Sequence, residues 1–280
     1  WVDIPAREIL RSGPQGESLE RWVLPTEPGC IAPALTGGLV IGLRDGIYRA
    51  RDWEGELTCL ARLPHDPQTT RSNDGRCDPL GRFWVGTMYE PKDQRLGALY
   101  SLEAREATPQ LRQQADDNVT ANGLAFTPGQ DTVYWADTGA HRILAWNWNS
   151  QTNAMTERRV WCQLPDKPRG FEPDDLSQAD AYGGRPDGAA VDEEGCYWSA
   201  QYEGGQLLKI APSGEVLARV PVPARCPTMP CFGGADGRTL FVTTASKGRA
   251  QSELERWPLA GCVLAARVEV PGLPTSFFVD

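Results

Sequence analysis

The stretch DPLGRFWVGTM, from Asp78 to Met88, decides the fold. A polar turn containing Gly leads into an aromatic and then a short apolar strand. The same grammar returns in TPGQDTVYWADT (Thr127–Thr138), DEEGCYWSAQY (Asp192–Tyr202) and GADGRTLFVTTA (Gly234–Ala245). Each is followed by a second strand: GALYSLE from Gly97, HRILAWNWN from His141, GQLLKIAPSGE from Gly205 and GCVLAARVEV from Gly261. A third often follows, as in QLRQQA from Gln110, MTERRVWCQL from Met155 and EVLARVPVP from Glu215. Upstream, LTGGLVIGL (Leu35–Leu43), GIYRAR (Gly46–Arg51) and GELTCLARL (Gly55–Leu63) repeat the pattern, and so do VDIPA, REILRSGPQGE and SLERWVLP over Val2–Pro25.

These make six units with a period of about 45 residues. Pro and Gly interrupt every candidate helix. Short antiparallel strands in units of this length predict an all-β fold: one six-bladed β-propeller domain over residues 1–280, with four-stranded antiparallel blades. A pair of β-sandwiches would not require six similar units. Val2 already lies in what reads as the second strand of the first blade. A strand and its turns, roughly 15 to 20 residues in all, are therefore expected to be absent from the N-terminus, and the chain begins at Trp1 without a Met.

Composition narrows the function. Apolar residues make up 40% of the 280 and charged residues 23%, with ten Trp, so the chain can bury a core. The net charge of −9 argues against nucleic acid, and no run is long enough for a membrane helix. With only His65 and His141, a site built on several His ligands is excluded; both are expected at the surface or in loops. The eight scattered Cys contain no CxxC pair and read as reduced, mostly buried thiols of a cytoplasmic protein.

Four polar clusters fall where propeller loops gather: Arg71–Gly75, Asn118–Gly123, Gly183–Gly188 and Cys226–Gly234. Asn-Gly and Asp-Gly are ordinary turn dipeptides. Three at one phase of successive blades, however, would direct Asn73, Asn122 and Asp187 at one point. Oxygen ligands without His suit a hard divalent ion such as Ca²⁺ or Mg²⁺, and Mn²⁺ or Zn²⁺ could be accepted. So few ligands leave open positions, as in a catalytic site.

These stretches, with SNDGRCDPLGRFWVGTM (Ser72–Met88), TANGLAFTP (Thr120–Pro128), RPDGAAVDEEG (Arg185–Gly195) and CFGG (Cys231–Gly234), resemble the regucalcin, gluconolactonase and luciferin-regenerating-enzyme-like family of six-bladed propellers. The likeness is greatest to bacterial aldonolactonases, which open sugar-acid lactones. The resemblance implies one divalent metal (Ca, Zn, Mn, Mg or Fe(II)) held by Asn122, Asp187 and a Glu. It implies Arg71 and Asn73 as substrate contacts. Glu90, after the Gly86-Thr87-Met88 strand end, is a further candidate for the substrate hydroxyls. The family's Glu lies in a Gly-Glu-Gly-Pro stretch that this sequence lacks; Glu8, Glu17 and Glu20 do not match it. The expected activity is metal-dependent hydrolysis of an aldonolactone, with Asp187 as general base. The expected partner is a small sugar lactone, and the expected state a monomer or weak homo-oligomer. The rivals are a promiscuous esterase or organophosphate hydrolase on the same metal, and a calcium-binding or interaction propeller without catalysis. The acidic stretch Phe171–Ala181 reads as a solvated loop or pocket lid, and the Trp146/Trp148 pair as blade-to-blade packing.

Overall fold

The structure, a computed structural model, describes residues 1–172 and 174–280, and only the backbone of Asp180. The chain forms two compact units, Trp1–Ala121 with Thr275–Asp280, and Asn122–Pro274. In the first unit, β1 (Val2–Asp3), β2 (Glu8–Arg11) and β3 (Glu20–Val23) form one sheet. The next sheet contains β4 (Pro28–Pro33), β5 (Leu39–Leu43), β6 (Gly46–Ala50) and β7 (Thr58–Arg62). The third contains β8 (Thr70–Cys77), β9 (Phe83–Tyr89), β10 (Gly97–Glu103) and β11 (Gln110–Asn118).

The second unit takes over within β12 (Ala121–Phe126), which pairs on through β13 (Thr132–Asp137) and β14 (Arg142–Asn149) to β15 (Ala154–Gln163). Next come β16 (Arg185–Val191), β17 (Tyr197–Tyr202), β18 (Gln206–Ile210) and β19 (Val216–Pro221). The last sheet is β20 (Pro227–Gly233), β21 (Thr239–Thr244) and β22 (Val263–Arg267). Every sheet is an antiparallel meander in chain order. Four carry the expected four strands; the first and last carry three among the described residues. Among the described residues the one α-helix, α1, spans Gln251–Arg256.

The repeated turn has a physical cause. Asp78 is fully buried. Its Oδ1 accepts from the Leu80 and Arg82 amides, and its Oδ2 from Arg82 Nε (2.6 Å) and Trp84 Nε1 (2.9 Å). Asp192 repeats this in the second unit, accepting from the Glu194 and Cys196 amides and from Trp198 Nε1 (2.9 Å). The carboxylate thus holds the turn and the strand that follows it. A buried charge with this many donors is satisfied rather than stranded.

The first strand of a blade is irregular at a repeated place. Register shifts lie between Pro28 and Cys30, Ser72 and Gly75, Pro186 and Ala189, and Pro227 and Met229. Such bulges bend a strand and re-aim its side chains. Residues 275–280 return to the first unit. There Phe278 is fully buried, its amide donates to Pro33 O, and its carbonyl accepts from the Leu35 amide, both at 2.8 Å.

Five of the eight thiols are buried and none is in a disulfide, as expected of reduced cysteines. Trp146 and Trp148 are buried as packing residues, but their ring contacts to Trp135 and Phe126 lie within their own sheet rather than between blades. His141 departs from expectation. It does lie in a loop, but it is buried, with Nε2 2.5 Å from the Tyr182 hydroxyl. In the acidic stretch, Glu172 and Asp174 are exposed, Leu176–Ala181 form a short 3-10 turn, and the side chain of Asp180 lies outside the described part.

Candidate active site

In the first unit the structure brings Arg71, Asn73 and Glu90 together. Asn73 sits in the bulge of β8. Its Oδ1 accepts from Arg71 Nη1 (2.8 Å), and its Nδ2 donates to Ala121 O (2.7 Å). Arg71 Nε lies 3.4 Å from Glu90 Oε1. Glu90 follows β9, and its amide donates to Thr69 O (2.9 Å).

Two residues that sequence reasoning missed complete this chain. Arg44, in the turn between β5 and β6, donates through Nη1 and Nη2 to Glu90 Oε2, both at 3.0 Å. It also donates through Nε (2.8 Å) and Nη2 (3.2 Å) to Glu27. The order Glu27, Arg44, Glu90, Arg71 alternates in charge. The hydrogen bond from Arg44 holds the Glu27 carboxyl below its ordinary range, and Glu27 in return raises Arg44. Burial lowers Arg71. Nothing in the local pattern of an Arg-Asp-Gly turn announces such a role, so only the fold could reveal it.

In the second unit Asn122 and Asp187 occupy neighbouring first strands. Asn122 is 6% exposed. Its Nδ2 donates to Thr138 Oγ1, which donates to Pro186 O, both at 2.8 Å. The hydroxyl therefore ties the Asn122 amide to the residue before Asp187. Asp187 is half-buried, in the bulge of β16. The glycine after each polar residue leaves room for this packing. A Cβ on Gly123, at φ +58°, would lie 2.1 Å from the Tyr197 hydroxyl and 3.1 Å from Asp187 O. A Cβ on Gly188 would lie 2.6 Å from Thr228 O. The Asn-Gly and Asp-Gly pairs are thus not hairpin turns; they lie within strands that other elements approach closely.

The donor set fits a hard divalent ion. Thr138 accepts from the amide nitrogen of Asn122; the side-chain oxygen of Asn122 and the carboxylate of Asp187 are the atoms with ligand chemistry. Asp192, Glu194 and Cys196 also lie within ligand reach of one another. There, however, Asp192 already serves its turn and faces Lys209 Nζ at 3.2 Å, so that group is structural. Glu8 and Glu20 pair with Arg21 and Arg11 on the first sheet.

Six antiparallel meander sheets define an all-β six-bladed β-propeller. Residues 1–246 match the SMP-30/Gluconolactonase/LRE-like region, and the chain belongs to that family. It is 40% identical over 279 residues to 6-deoxy-6-sulfogluconolactonase of Pseudomonas putida, covering 99% of this chain and 89% of the relative. It is 31% identical to regucalcin of Danio rerio over 98% of this chain and 88% of that protein. The calcium-binding protein regucalcin of Agrobacterium tumefaciens superposes with a TM-score of 0.87 at 26% identity, covering 99% of this chain and 88% of that one. No helix among the described residues is long and apolar enough to cross a membrane.

Proposed function

We propose that the protein is a lactonase that opens a sugar-acid lactone to the aldonate, with Asn122 and Asp187 as ligands of a divalent ion. The observation that carries this reading is the Asn122–Thr138–Pro186 relay, which ties the Asn122 amide to the bulge bearing Asp187. The family and the gluconolactonase name of the Pseudomonas relative supply the reaction class. The calcium-binding regucalcin structure supports a divalent ion.

A bound ion would supply Lewis acidity to the lactone carbonyl. Asp187 is the general base: it takes a proton from the water that attacks the carbonyl carbon. It then returns the proton to the ring oxygen as the C–O bond breaks, so the carboxylate is regenerated. Arg71 and Asn73 donate to the sugar's oxygens, and Glu90 accepts from its hydroxyls. Because Arg44 fixes Glu90, the rotamers are set before substrate arrives.

The test is acid release from glucono-, galactono-, arabino- and xylonolactone, with metal analysis of the purified protein. We expect hydrolysis of at least one lactone, falling by about a thousandfold or more in Asp187→Ala. Unchanged hydrolysis by that variant would remove Asp187 from the mechanism. Calcium binding without turnover of any lactone or aryl ester would favour the non-catalytic propeller.

A further inference from the structure

A second polar network lies in the second unit beside Asp187, and no role in lactone opening has been given to it. Glu203, at the end of β17, is almost fully buried. Its Oε2 accepts from Lys167 Nζ (2.7 Å) and lies 3.6 Å from Arg185 Nη2, and its Oε1 lies 3.3 Å from Arg249. Arg249 donates twice to Glu253 of α1 (2.7 and 2.6 Å), and Arg225 donates to the same carboxylate (2.6 Å). Four cations thus share two carboxylates. Burial pushes Glu203 up, but Lys167, Arg185 and Arg249 outweigh it and hold the carboxyl below its ordinary range.

The exposure pattern gives the network a direction. Glu203, Glu253, Arg225 and Arg249 are sealed, whereas Lys167 and Arg185 are each 28% exposed. The two members that solvent reaches are both cations. Each is steadied by ring faces: Lys167 by Phe171 and Tyr182 (5.2 and 5.3 Å), and Arg185 by Tyr202 (5.1 Å). Asp166 is exposed beside Lys167 and is the nearby opposing charge on that side. Asp187 is the opposing charge on the other.

Arg185 and Asp187 lie two residues apart on β16, and burial alternates along Arg185, Pro186, Asp187 and Gly188, which puts both on the accessible side of the strand. Two residues of strand span about 6.6 Å, comparable to the length of a six-carbon lactone. Tyr202 links the two places, packing under Arg185 and feeling the charges of Arg249, Asp187 and Glu203.

We propose that Lys167 and Arg185 form a binding site for a tetrahedral oxyanion, a sulfonate or phosphate group, carried on the end of the lactone substrate remote from its carbonyl. The inference rests on the lactonase reading for its orientation. Guanidinium and ammonium donors suit such oxygens, and the buried carboxylates behind them fix their positions without neutralising the face they present. The substrate class is an aldonolactone bearing an anionic group at its terminal carbon.

Hydrolysis of glucono-1,5-lactone, 6-phosphogluconolactone and 6-deoxy-6-sulfogluconolactone tests this, with isothermal titration of 6-phosphogluconate and 6-deoxy-6-sulfogluconate into the metal-loaded protein. We expect kcat/KM for at least one anionic lactone to exceed that for the neutral one by about tenfold or more. Arg185→Gln and Lys167→Met should each reduce this preference by about tenfold, and Arg185→Lys should restore part of it. The comparison of phosphate with sulfonate identifies which oxyanion the site takes. No preference for either anion, or a preference untouched by both variants, overturns the inference while leaving the lactonase intact. If no lactone is opened, the lactonase reading falls and the titrations decide: binding of an anionic acid that Arg185→Gln weakens supports the site, and no binding overturns it.

Discussion

Glu90 is held between two arginines, Arg44 and Arg71, and this fixes what replacing either should do. Arg44→Met leaves Glu27 and Glu90 without their shared bidentate partner, so Glu90 samples other rotamers. We expect KM for the lactone to rise by about tenfold with a smaller change in kcat, because ground-state and transition-state contacts weaken together. Arg44→Lys should recover only part of the loss, since an ammonium cannot bridge two carboxylates in the same fork geometry. Equal steady-state constants for Arg44→Met and the parent would show that Glu90 needs no such support. The two histidines give a pH prediction. Burial lowers both His65 and His141 from the ordinary 6.5. The unfolded chain therefore takes up these protons first, and stability is lost as pH falls from about 6.5 through the folded values. The melting temperature should decline between about pH 7 and pH 5.5, and less steeply in His65→Gln/His141→Gln. Imidazole resonances that titrate at or above 6.5 would contradict this. Sequence could propose Asn73, Asn122 and Asp187 because each falls in a polar cluster beside a Gly within the repeat. Glu27, Arg44, Lys167 and Glu203 could not, because long-range approach alone gives them meaning.

Strands and their order were legible, since a Gly-containing turn followed by an aromatic and an apolar run is written four times and strands of similar length and spacing continue the pattern upstream. The sequence left open what the Asn-Gly and Asp-Gly pairs do, because that dipeptide serves a tight turn and a close packing contact equally well. The structure places them inside β12 and β16, where Gly123 and Gly188 leave room for other elements. Gly123→Ala should therefore destabilise the protein by about 2 kcal/mol or more, through crowding against Tyr197 and the positive φ. A surface turn would lose less, and denaturant unfolding measures the difference. The Asp turns make a second prediction. Asp192→Ala strands the Trp198 indole N–H and two amides, and should cost about 3 kcal/mol by the same measurement. A loss below about 0.5 kcal/mol would mean that water replaces the carboxylate.

Across the whole molecule the first unit is discontinuous in sequence, because Thr275–Asp280 belong to it although all of the second unit precedes them. Phe278 is buried in the same cluster as Ala34, Val40 and Phe83. Phe278→Ala should cost about 3 to 5 kcal/mol, the usual loss for emptying a buried phenyl site, and denaturant melts would show it. A variant as stable as the parent would reduce the segment to a passive tail. The repeat made the blades visible but not this return, since PTSFFVD shares no pattern with the strands it joins.

That return also sets an order of events in time. Chains fold largely as they emerge from the ribosome, N-terminal parts first. The first unit emerges first, yet residues 275–280 are translated only after the whole of the second unit, so it must wait, with the Pro33, Leu35 and Gly81 backbone partners uncovered, until the second unit has been synthesised. Nascent chains arrested just short of Thr275 should thus remain protease-sensitive within the first unit, and emergence of residues 275–280 should protect the segments around Pro33, Leu35 and Gly81.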